Sequence, residues 1–178
     1  MSGFRCSTCN EWHAEMPTSF GADAPYWYDV IATEERERRA MLSSDQCIID
    51  GEYYFVRGCI EVPVIDGSES FSWGVWVSLS PKNFERMSDL WNSVRREDEP
   101  PYFGWLSTSV PCYPDTLNLK TKVHTRAVGV RPLIELESTE HPLAVEQQHG
   151  ITVARMREIV EHILHDSSDP GNELRGGD

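Results

Sequence analysis

Tyr53-Tyr54-Phe55-Val56-Arg57-Gly58-Cys59-Ile60-Glu61-Val62-Pro63-Val64-Ile65, followed by Asp66-Gly67 and then Phe71-Ser72-Trp73-Gly74-Val75-Trp76-Val77-Ser78-Leu79, is the stretch that decides the fold. Two long runs of β-branched and aromatic residues meet across an Asp-Gly turn, which predicts an antiparallel hairpin. Upstream, Cys47-Ile48-Ile49 and the turn Asp50-Gly51 add a third strand, so the centre of the chain reads as a meander. Further upstream, Ala24-Pro25-Tyr26-Trp27-Tyr28 reads as an aromatic loop. Thr33 to Leu42 reads as a short helix with Thr33 at its N-cap, acids early and bases late, as the helix dipole favours.

Downstream, Ser80-Pro81 predicts a helix start, with Phe84, Met87, Trp91 and Val94 on one apolar stripe and Leu90 beside it. The acidic stretch Glu97 to Pro101 reads as a loop, Tyr102 to Leu106 as a strand, and Pro111 to Pro114 as a rigid turn. From Thr116 the alternation is clean. Leu117, Leu119, Thr121, Val123, Thr125 and Ala127 take one face, and Asn118, Lys120, Lys122, His124 and Arg126 the other. Leu133 to Glu137 returns as a strand with Glu135 and Glu137 outward, so bases on one strand can pair with acids on the next. His141-Pro142 opens a helix that stops at Gly150. Thr152 caps another, with Val153, Met156, Ile159, Val160 and Ile163 as its apolar stripe and Glu158, Glu161, His162 and His165 on its solvated side. Residues 166–178 read as a disordered acidic tail. The expectation is a single α+β domain over residues 1–165: an antiparallel sheet of about five to seven strands with three or four helices, preceded by a zinc knuckle.

That knuckle is Cys6-Ser7-Thr8-Cys9-Asn10-Glu11-Trp12-His13. Two thiolates at C-x-x-C spacing can face one Zn²⁺ from a tight turn, and Asn10 tolerates the left-handed backbone such a turn needs. A closed structural centre wants four ligands, and a second C-x-x-C is absent. The expected set is Cys6, Cys9, His13 and Cys47, the last because it follows the polar Ser43-Ser44-Asp45-Gln46 at a strand start; Cys59 reads as core. Inert thiols and a redox pair are the alternatives, although a redox motif belongs at a helix start inside a βαβ unit and only five residues precede Cys6.

The chain of 178 residues is long enough for one well-filled core, and six each of Trp, Tyr and Phe argue against disorder of the body. Neither a secretory leader nor a membrane-length apolar run is evident, and five cysteines, an odd number, suit a reducing compartment, so the expected location is cytoplasmic. A formal charge of −13 disfavours nucleic acid and anionic membrane surfaces and favours a basic protein partner. Against that balance, Lys120, Lys122, Arg126 and Arg131 form a stretch with no acid between Thr116 and Ile134.

Catalytic patterns are missing: no H-E-x-x-H, no phosphate-binding glycine loop, no G-x-S-x-G and no dinucleotide fingerprint. Asp45, Arg57, Glu61, His124, Arg131, Glu135, His141 and His149 are polar candidates scattered along the chain. Arg57 and Glu61 share one face of an otherwise apolar strand, where a charged pair is either an edge ion pair or a site.

The set Cys6-x-x-Cys9-x-x-x-His13, Phe55-Val56-Arg57-Gly58, Trp73 to Ser80, Gly104-Trp105-Leu106, Thr116 to Lys120, Arg131-Pro132 and His141-Pro142-Leu143-Ala144 resembles the bacterial domain-of-unknown-function family 2199 over roughly residues 4 to 165. The resemblance implies a bacterial protein and assigns no activity to any residue. Two functions follow from the residues themselves. One is a non-enzymatic module, such as an acidic inhibitor or immunity-type partner of a basic protein, with Tyr26, Trp27 and Tyr102 as exposed aromatic anchors. The other is a small zinc-dependent hydrolase with an open metal position, assisted by His124 or His141.

Overall fold

A computed structural model describes residues 3–68 and 70–165; the tail expected over 166–178 lies outside the described residues. In chain order the elements are β1 (Phe4–Arg5), β2 (Trp12–His13), β3 (Ser19–Gly21), α1 (Tyr26–Asp29), α2 (Thr33–Arg39), β4 (Ala40–Leu42), β5 (Gln46–Ile49), β6 (Tyr53–Pro63), β7 (Ser70–Leu79), α3 (Pro81–Asp89), β8 (Tyr102–Leu106), β9 (Lys120–His124), β10 (Leu133–Leu136), α4 (Pro142–His149) and α5 (Val153–His165). β1 and β2 form a small ribbon of their own, and the other eight strands make one sheet in the order β3-β7-β8-β9-β10-β6-β5-β4.

Because β6 also pairs with β7, the sheet closes into a barrel in which β6, β7, β8, β9 and β10 form the ring. Four of its five junctions are antiparallel, as a meander requires. An odd number of alternating strands brings the last one back running the same way as the first, so the fifth junction, β10 on β6, is parallel. It is also the shortest, with Leu133 opposite Cys59 and one bond from the Cys59 N–H to the Pro132 carbonyl at 2.9 Å. Gly58 makes the closure possible, since a Cβ there would lie 2.6 Å from Ile134 Cδ1 and 2.9 Å from the Pro132 carbonyl. Beyond that contact, Gln147 of α4 stands in for a strand edge, donating to the Ile134 carbonyl at 2.6 Å and accepting from the Leu136 N–H at 2.8 Å.

The α+β class and the mostly antiparallel sheet agree with the sequence, but the sheet has eight strands and there are five α-helices among the described residues. The extra elements are short. The expected helix 33–42 ends at Arg39, and Ala40–Leu42 pairs with β5 instead; Ala32, not Thr33, occupies the N-cap without a side-chain bond. The aromatic stretch around Tyr26 is a one-turn helix rather than a loop. Ser80 caps α3 as expected, accepting from the Asn83 N–H, yet the helix stops at Asp89, so Phe84 and Met87 are buried and Val94 is exposed.

Inside the barrel, Val56, Ile60 and Val62 of β6 meet Val75 and Val77 of β7, Leu106, Val123 and Ile134, and α4 and α5 add Leu143, Met156 and Ile159 to the same core. A second, smaller core lies on the outer face of β6 and β7, where Phe55 and Trp76 pack with Cys47, Ile49, Ala22 and Ile31. Arg96 is buried beneath the loop that follows α3. Its guanidinium donates to the backbone carbonyls of Trp91, Arg126, Ala127 and Val130 and lies 5.2 Å from the Trp91 ring.

The basic strip of β9 is paired across strands. Lys120 faces Glu137 at 3.6 Å, Lys122 faces Glu135 at 3.5 Å, and Arg126 reaches Glu61 of β6. These groups are partly or largely exposed, so changing Lys120, Lys122 and Arg126 together to Gln should cost at most about 1–2 kcal/mol, read from urea unfolding.

Candidate metal centre

The N-terminal ribbon folds back through a tight turn. The Cys6 N–H donates to the Glu11 carbonyl at 2.9 Å and the Asn10 N–H to the Cys6 carbonyl at 3.1 Å. Asn10 takes a φ of 59°, the left-handed conformation expected of it, and its side chain accepts from Arg5 Nε at 2.9 Å. The turn directs both sulfurs to one side, and the pairing of Phe4 with His13 across β1 and β2 returns His13 to them, its ring stacked on Phe4 at 5.2 Å. Cys9 Sγ lies 3.4 Å from His13 Nε2.

The fourth member comes from the far end of the chain. His165, in the last turn of α5, places Nε2 3.0 Å from Cys6 Sγ. One donor atom from each of Cys6, Cys9, His13 and His165 lies within 4.8 Å of the others, a set of two sulfurs and two nitrogens that could hold a metal ion. Cys6 is buried and the other three are half-buried, so the set sits at a shielded edge of the fold. Burial opposes the Cys6 thiolate, but backbone N–H groups from Cys9 and Thr8 outweigh it and lower the Cys6 pKa. At Cys9 the Glu11 N–H favours the thiolate, but burial and the neighbouring Cys6 sulfur prevail and raise the pKa. Without a cation the pair favours a single negative charge; a bound metal ion would let both ionise.

Glu161, one turn before His165, ties α5 to the knuckle. Its carboxylate accepts from the Ser7 N–H at 2.9 Å and from the Ser7 hydroxyl. Those Ser7 bonds hold its pKa below the ordinary value of 4.5, against the opposing effect of burial. A depressed carboxylate contributes stability that is complete above the unfolded pKa and lost as pH falls through the folded one. Glu161→Gln should therefore destabilise the protein near pH 7. The gap from the parent should narrow as pH drops below about 4.5, read from paired thermal melts.

The expectation for Cys47 is corrected. It is 0% exposed in the outer core, beside Phe55 and Trp76, and burial pushes its thiol up to about 12. Its strand start is polar, but register turns its side chain onto the packed face. Cys59 is half-buried on the outside of β6 rather than in the core. His124 pairs with Glu135 at 2.6 Å, His141 caps α4 by accepting from the Leu143 N–H at 3.2 Å, and His149 sits in the last turn of α4. None of these three belongs to the cluster. Tyr102 is buried and donates to Glu99 at 2.9 Å; the exposed aromatics of its strand are Phe103 and Trp105. Glu161 and His165, read as solvated, are the residues the pattern missed. Both lie off the apolar stripe of α5, and only the docking of that helix on the knuckle gives them partners.

The family model described as "Uncharacterized protein conserved in bacteria (DUF2199)" matches residues 5–151. The chain belongs to the DUF2199 family. Within this DUF2199 chain, Cys6, Cys9 and His13 fall inside the matched span, whereas His165 follows it. No curated protein and no solved structure matches the chain. Among the described residues no helix is long and apolar enough to cross a membrane.

Proposed function

We propose that this DUF2199 protein is a non-catalytic binding module whose knuckle and helix α5 are clasped together by a structural zinc ion on Cys6, Cys9, His13 and His165. The observation that carries this reading is the ligand set itself. Two thiolates and two imidazoles suit the tetrahedral preference of Zn²⁺, and four protein donors leave no position for a reactive water. Zinc would supply charge neutralisation for the thiolates and a cross-link between the knuckle and α5. The same count weighs against the hydrolase alternative, which needs an open position.

A basic protein remains the partner best suited to a chain of formal charge −13. Its docking point would be the rim of a cavity of about 650 Å³ that exposes Trp27 and Tyr53 beside Glu35 and Asp50. The exposed aromatic faces suit Lys and Arg side chains of a partner through cation–π contact, whereas Glu35 and Asp50 are themselves paired with Arg39.

Cobalt substitution tests the closed site. A Co²⁺-loaded sample should show intense tetrahedral visible bands that do not shift on adding azide or cyanide, whereas an open, catalytic-type position would bind the anion and change the spectrum. For the partner, Trp27→Ala combined with Tyr53→Ala should abolish capture of a basic protein that the parent retains at low salt. Capture unaffected by either the substitutions or 0.5 M salt would reject that docking point.

A further inference from the structure

Two arginines are withdrawn from solvent, and they differ sharply in how their charge is met. Arg96 reaches four backbone carbonyls. The side chain of Arg57, only 16% exposed, has no hydrogen-bond partner among the described residues, and its buried Nε is unpaired. Its nearest carboxylate, Asp23, is 4.0 Å from Nη2 and largely exposed. The acid that shares its strand face, Glu61, is taken by Arg126, and the Asp45 carboxylate is taken by Arg131 at 2.8 Å. Leaving the buried Nε–H without an acceptor is costly, and such groups are normally paired.

The guanidinium rests on backbone on one side, while its Nη nitrogens, unlike Nε, are not shut off from solvent. The guanidinium lies across β7 toward β3, over two glycines: a Cβ on Gly21 would be 3.2 Å from Nη2 and one on Gly74 3.9 Å. Gly21 and Gly74 face each other across the parallel β3–β7 pair, so the floor under the guanidinium is bare backbone. Asp23 and Asp45 flank the site and limit how much negative charge it can accept, which favours a singly charged, planar oxyanion over a phosphate dianion.

We propose that Arg57, above the Gly21–Gly74 floor, is a binding site for a monoanionic carboxylate, separate from the metal cluster and independent of the zinc reading. The carboxylate would take the Nη N–H donors, which solvent reaches, and Arg131 would add attraction without direct contact. The carboxylate could belong to a small organic acid or to a peptide C-terminus, which present the same group.

The test is NMR titration of the full chain with propionate, inorganic phosphate, triglycine and triglycine amide. The reporter is the Arg57 Nε–Hε resonance, assigned by its loss in Arg57→Lys. Propionate should shift it saturably in the millimolar range, as befits so small a ligand, and phosphate should bind more weakly. Asp23→Asn, a change at an exposed residue, should tighten propionate, because it removes the negative charge beside Arg57 that competes with the ligand. Triglycine binding more tightly than propionate, with its amide inert, would identify a peptide terminus; propionate alone would identify a small acid. No saturable shift in either the parent or Asp23→Asn overturns the site, and phosphate binding as tightly as propionate overturns the carboxylate assignment.

Discussion

Replacing Cys6 and Cys9 together by Ser is expected to strip the metal and lower stability by about 4 kcal/mol, the linkage value for a ligand present at a thousand times its dissociation constant. For a chain of this size that is a fall of roughly 8–16 °C in melting temperature. The loss should be local at first. Phe4 and Cys6 share an apolar cluster with the barrel interior, but the five ring strands pair without the knuckle, so β-structure should persist by circular dichroism while the Phe4–His13 stack and the docking of α5 are released. His165→Ala should reproduce most of the effect, and elemental analysis should fall from one zinc per chain toward zero in both variants. Cys47→Ser should keep its zinc, because that sulfur lies in the outer core. Full zinc content in the double variant would reject the centre.

Arg96→Met should destabilise the fold by on the order of 4 kcal/mol. The guanidinium, 3% exposed, satisfies carbonyls from two separate segments, Trp91 after α3 and Arg126, Ala127 and Val130 beyond β9. Methionine fills similar volume but donates nothing, so the Trp91, Arg126 and Val130 carbonyls must find water or stay unpaired, while that of Ala127 keeps the Val130 N–H. Urea unfolding measures the change. A cost below about 1 kcal/mol would mean that water replaces the arginine, which the surrounding burial opposes. Arg57→Met offers the contrast, since no hydrogen bond within the described chain is lost.

The central hairpin was legible because two long runs of β-branched and aromatic residues, Tyr53–Pro63 and Ser70–Leu79, flank Asp66-Gly67; positive φ is found at Asp50 and Gly51, between β5 and β6, and not at Asp66 or Gly67. The helix at Ser80-Pro81 was equally plain, as its cap is a local bond between neighbours. Closure was not legible. Gly58 in a strand hints at a close approach, but nothing local says that Ile134 is the residue approaching. The metal cluster divides in the same way. Cys6, Cys9 and His13 are set by one turn and one ribbon, whereas His165 is 159 residues from Cys6 and is brought in by helix packing alone. Glu161 was missed for the same reason, and Cys47 was misplaced because composition around a strand start does not reveal which face its register buries.

The parity of the ring also sets the order in which the barrel breathes. Four junctions are antiparallel ladders, but the seam between β6 and β10 rests on one short contact and on the borrowed amide of Gln147. Thermal fluctuations should unzip there first, as in a hoop whose ends overlap by a single rivet. Native-state hydrogen exchange would report it as faster turnover of the Cys59 and Leu136 amides than of Val75 and Val77, which sit mid-ladder between β6 and β7. The barrel is thus a sheet held shut by α4, and helix and seam should open as one unit.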